Sequence, residues 1–132
     1  MIYLDSCALV KLVSPAPETA ALERYLRQHA DEHHVASALV RTEVRRALHR
    51  IGATARQRAT ADKLLDVVVT ISVSDELLDA AGHLTEPGLR SLDAIHLATA
   101  LRLGTGLRDF VTYDRHLLAA AKSAGLATAA PR

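Results

Sequence analysis

Five short apolar or β-branched runs, IYLD, HVAS, VVVTISV, DFVTY and LATA, alternate along the chain with segments whose apolar residues recur at helical spacing. That alternation constrains the fold more than any other feature, because strands separated by helices of this length pair in parallel and must be covered on both faces. The expected architecture is an α/β three-layer sandwich, with a parallel sheet of about five strands between helices. ALVKLV winds one or two turns before Pro15 and Pro17 stop it. PETAALERYLRQH, Ala38 to Ile51 and Thr54 to Leu65 follow as helices, the second closed by Gly52. VVVTISV reads as the clearest strand and HVAS as the weakest. ELLDAAGHL is capped by Ser74, and a nearly all-apolar helix from a Ser91 cap to Leu103 should lie buried. RHLLAAAKSAG is the last helix. No repeat, linker or low-complexity segment interrupts the pattern, so residues 1–132 are expected to form one domain.

The hydrophobic content of 49% with only 3% aromatic residues implies an aliphatic core, and base-stacking platforms are not expected. A formal charge of +1 neither requires nor excludes a nucleic-acid partner. The single Cys7 cannot form an internal disulfide and suits a reducing compartment. The N-terminus lacks a basic secretory start, and no run of about 18 uncharged apolar residues occurs. A soluble, cytoplasmic protein is the expectation.

Four acidic residues break the pattern around them. Asp5 ends the first strand and Asp114 follows FVTY, placing both at the carboxyl edge of a parallel sheet, where ligands bind at the point of reversed winding. Asp93 sits in the first turn of the buried helix, where an acid also simply favours a helix N-terminus. Glu43 borders the apolar stripe of its helix, and a surface ion pair with Arg46 is the ordinary explanation for it. Taken together, four carboxylates gathered in one partly buried cleft require neutralisation. A hard divalent cation, Mg²⁺ or Mn²⁺, suits oxygen-only ligands, and phosphodiester hydrolysis suits such a site.

The segments MIYLDSCALVKL, ASALVRTEVRRAL, SLDAIHLATALRLG and FVTYDRHLLAAA, in this order and spacing, resemble the PIN-domain nucleases, and within them the VapC-type toxins of bacterial toxin and antitoxin pairs. The resemblance covers the whole chain. It implies the PIN-like sandwich, metal-dependent endoribonuclease activity, an RNA substrate, and a cognate VapB-type antitoxin that covers the cleft in a hetero-oligomer; homodimers are also common in similar proteins. Carried over by position, Asp5, Glu43, Asp93 and Asp114 match the family's acidic residues. Asp5 and Asp93 match its usual metal ligands, with Asp114 expected to bind directly or through water and Glu43 to complete the site. Ser6 and Thr112 match small hydroxyl positions that hold a carboxylate or water, although Ser6 equally suits a cap. Cys7 departs from the more usual Ser. Arg115 is placed to pair with Asp114 or to touch phosphate.

Other signals compete. HADEH, His29 to His33, fits a zinc motif in which two His share a helix with Glu32, but a solvated helix end explains it more simply. His96 is expected to be a core histidine bonded to backbone. Arg41, Arg45, Arg46 and Arg50 crowd one helix, which is usually only a solvated face. An enzyme that holds RNA beside its own carboxylates nonetheless needs positive charge for the phosphates, and Arg46 and Arg50 lie nearest Glu43. Two rival functions remain: a PIN-like nuclease of RNA processing or DNA metabolism, and a non-catalytic switch or binding module with an acidic pocket.

Overall fold

The structure is a computed structural model that describes residues 1–132. Five strands, β1 (Ile2–Leu4), β2 (His34–Ser37), β3 (Val69–Ile71), β4 (Asp109–Val111) and β5 (Thr128–Ala129), form one sheet in the order β3-β2-β1-β4-β5. Every pairing is parallel, with Leu4 of β1 opposite Val111 of β4. The chain winds outward from β1 through β2 to β3, then returns to lay β4 against the other side of β1. Winding therefore reverses between β1 and β4, and a crevice opens beyond their carboxyl ends.

Side chains alternate across each strand and sort the helices into two layers. Ile2, Leu4, Ala36 and Val111 face a core completed by α1 (Ser6–Val13), α2 (Thr19–Gln28), α3 (Val40–Arg50) and α4 (Ala55–Val67). Tyr3, Val35 and Phe110 face the opposite core, against α6 (Ser91–Leu101) and α7 (Arg115–Ser123). The remaining helix, α5 (Asp75–Gly82), packs on α6. Ala94, Ala98 and Ala100 let α6 approach its neighbours closely, so it lies buried as its composition demands.

Three expectations need correction. VVVTISV, read as the clearest strand, pairs over only part of its length: Val67 ends α4 at 76% exposure, and β3 keeps three residues on the sheet's edge, where one side lacks a partner. Ser91 is the first residue of α6 and not its cap; Arg90 holds the cap position and makes no side-chain cap bond. Gly88, at φ +74°, supplies the left-handed turn that launches this helix. HADEH is a turn and not a helix, and Glu32 is bound to the terminal amine and Arg108, so the zinc arrangement does not form.

Candidate active site

The first strand carries its charge to the crevice by ending one residue before Asp5. There the backbone becomes the N-cap of α1, and the Asp5 carboxylate accepts the Ala8 N–H at 2.8 Å. Asp114 plays the same part for α7, accepting from His116 and Leu117 at 2.8 and 2.9 Å. Thr112 links the two: its buried hydroxyl donates to Asp5 Oδ2 and accepts the Asp114 N–H at 3.1 Å.

Asp93, in the first turn of α6, and Glu43, in the first turn of α3, reach the same place from opposite layers. All four acids line one cleft of about 420 Å³, together with Ser6, Cys7, Arg90, Ser91 and Leu92. Arg90 reaches both Asp93, Nε to Oδ2 at 3.1 Å, and Asp114, Nη2 to Oδ2 at 3.6 Å. Glu43 makes no pair with Arg46. Its Oε1 instead lies 2.7 Å from His96 Nε2, and its Oε2 accepts from Ser6 Oγ at 3.5 Å. Ser6 therefore does not cap α1, since Asp5 does. His96 is buried as expected, but its ring nitrogens meet Tyr3 and Glu43 and not backbone. Arg115 is exposed and forms no ion pair with Asp114, whose cation is Arg90. Tyr3, His96 and Arg90 are the residues that sequence reasoning did not assign to the site.

Electrostatics follow from depth. Asp5 is 3% exposed, and burial pushes its carboxyl up to about 6, against the opposing effect of the bonds from Thr112 and Ala8. Burial likewise pushes the Cys7 thiol up to about 11, so Cys7 lines the cleft as a protonated, weakly nucleophilic group. No three of the His, Cys, Asp and Glu side chains converge as a closed ion sphere. Oxygen-only donors spread around an open cleft, with a buried carboxylate short of positive charge, fit a hard cation that keeps several of its waters.

On α3, Arg41 pairs with Asp66 at 3.8 Å and Arg45 with Asp62 at 2.8 Å, which ties this helix to α4. Arg46 and Arg50 are exposed and paired with no carboxylate. Arg50 and Lys11 border a second hollow of about 350 Å³ that adjoins the acidic cleft at Ser6 and Cys7.

A parallel sheet whose topological switch opens onto four carboxylates defines an α/β protein with an acidic, cation-ready cleft. The PIN-domain family model matches residues 2–123, and the chain belongs to that family. Ribonuclease VapC46 of Mycobacterium tuberculosis is 48% identical over 98% of this chain and 97% of its own length. Ribonuclease VapC47 of the same species is 38% identical over 99% and 97%. Among solved structures, Mycobacterium tuberculosis VapC20, a sarcin-ricin loop cleaving toxin, superposes with a TM-score of 0.75 at 20% identity, covering 99% of this chain and all of the other. VapBC2 of Rickettsia felis, solved with a promoter DNA fragment, gives 0.72 at 16% identity over 98% of each chain. These two likenesses establish the PIN fold.

Proposed function

We propose that the chain is a Mg²⁺- or Mn²⁺-dependent endoribonuclease, the VapC-type toxin of a pair whose VapB-type antitoxin silences it. One observation carries the reading: acids scattered from position 5 to position 114 line a single cleft at the switch between β1 and β4. The ribonuclease names of relatives at 48% and 38% identity over nearly the whole chain support the substrate class.

Asp5, Asp93 and Asp114 would hold the ion, directly or through water. A bound divalent cation supplies a water of lowered pKa and positive charge for the phosphate. Glu43, with Oε2 toward the cleft, orients the attacking water. Thr112 fixes the Asp5 carboxylate, and its bond to the Asp114 N–H keeps the two strand ends in register. Ser6 supports Glu43. Arg46 and Arg50 hold flanking phosphates that the carboxylates would otherwise repel.

Purified protein, freed of antitoxin, should cut total cellular RNA into discrete fragments in Mg²⁺ or Mn²⁺ and leave it intact with chelator. Cutting that persists in chelator would refute the metal site; failure to cut under any metal would favour a binding or switch module. The arginine assignment has its own test. Arg46→Ala combined with Arg50→Ala should raise KM for RNA about tenfold and leave kcat within about twofold. Losing two phosphate contacts should also flatten the salt dependence of binding by about 1.4 in log–log slope. An unchanged slope would remove these arginines from the substrate path.

A further inference from the structure

The carboxylate of Glu43 ends a line of bonded groups that crosses the protein interior. Tyr3, fully buried in β1, stacks on Phe110 with ring centroids 5.0 Å apart and meets His96 edge-on at 6.0 Å. Its hydroxyl accepts the Ser37 N–H at 3.1 Å and lies 2.7 Å from His96 Nδ1. The neutral phenol offers one O–H to donate and an oxygen able to accept. With its oxygen accepting from Ser37, the phenol can donate its proton to Nδ1, and in that arrangement Nδ1 is the acceptor. The ring's own proton then resides on Nε2 and is donated to Glu43 Oε1 at 2.7 Å. In this arrangement every donor along the line meets an acceptor.

Nothing in the catalytic reading requires this arrangement. A histidine at 2% exposure is satisfied by any two partners, yet here one partner is an acid of the cleft. Glu43 Oε1 is thereby committed inward, and rotation about its terminal bond is blocked while Oε2 stays beside Ser6. We propose that Tyr3 and His96 are positioning residues for the nuclease reaction: together they fix the orientation of Glu43, so that one oxygen always faces the reacting water. The proposal rests on the endoribonuclease reading above, and concerns residues that touch neither substrate nor ion.

Two measurements test it. Long-range proton–nitrogen NMR of the intact protein should find His96 as the Nε2–H tautomer, with Nδ1 unprotonated, and Tyr3→Phe should release that preference. In kinetics, His96→Leu should lower kcat about 10- to 100-fold with KM for RNA unchanged, the range usual for residues that orient metal-site ligands. His96→Gln, which restores an N–H donor toward Glu43, should recover most of the loss, and Tyr3→Phe should give a smaller loss that does not add to that of His96→Leu. Thermal melts establish that each variant compared is folded; if His96→Leu is not, His96→Gln and Tyr3→Phe carry the comparison. A folded His96→Leu at parental kcat, or an Nδ1–H tautomer in the parent, overturns the proposal. An inactive parent with the Nε2–H tautomer overturns the nuclease reading, and the positioning role of Tyr3 and His96 with it, while the bonded line itself stands.

Discussion

Replacing Asp5 by Asn is expected to abolish RNA cleavage while making the metal-free protein more stable at neutral pH. The loss of activity should be on the order of 10³-fold or more, since the carboxylate proposed to hold the ion is removed. The gain comes from burial. Folding moves the Asp5 carboxyl from 3.8 to about 6, so the folded chain holds its proton more tightly than the unfolded one. Between those values the folded state binds more protons, stability falls as pH rises, and above about 6 the whole penalty, ~3 kcal/mol, is present. Asn carries no charge and can still accept from Ala8, while Thr112 must reverse its bond, so the net gain should be ~1–3 kcal/mol. Melting curves in chelator should nearly coincide for parent and variant near pH 4 and separate by several degrees at pH 7.5, with the variant higher. Adding Mg²⁺ or Mn²⁺ should then raise the parent's melting temperature and leave the variant's unchanged. A variant that melts below the parent at pH 7.5, or cuts as well as it, contradicts the assignment.

Thr112→Val should damage both stability and turnover while preserving shape. The hydroxyl is fully buried, donates to Asp5 and accepts from the Asp114 backbone, so a methyl in its place leaves a buried carboxylate oxygen and a backbone N–H each short of a partner. The expected cost is ~1–3 kcal/mol. Losing a donor that favours the ionised form also raises the Asp5 proton affinity further. The acid limb of the pH–rate profile should therefore move to higher pH, and kcat at pH 7 should fall about 10- to 100-fold. Thr112→Ser restores the hydroxyl and should return both quantities most of the way. A parental pH profile for the valine variant would separate Thr112 from the chemistry.

The acids were legible because each interrupts a pattern: Asp5 ends an apolar strand, and Asp93 begins an apolar helix. Their partners were not, because local spacing offers only neighbours. For Glu43 the cation that helical spacing brings alongside is Arg46, three residues on, whereas the real partner is His96, 53 residues away on a helix of the other layer. Arg90 drew no reading from the sequence, since its reach to both Asp93 and Asp114 depends on how the chain turns into α6 after Gly88. His96 was placed correctly in the core, but a periodicity argument reports burial and not bonding. The strand alternation carried over nearly whole. VVVTISV yields a strand shorter than its run because β-branched composition does not distinguish a helix end from a sheet edge, and Val67 belongs to the first.

Because winding reverses at β1, the first half of the polypeptide contributes Asp5 and Glu43, and the last third contributes Asp93 and Asp114. A nascent chain still short of β4 carries three of the four acids but lacks Asp114 and the strand that borders the cleft. The four-acid cleft is therefore among the last features of the fold that synthesis can complete.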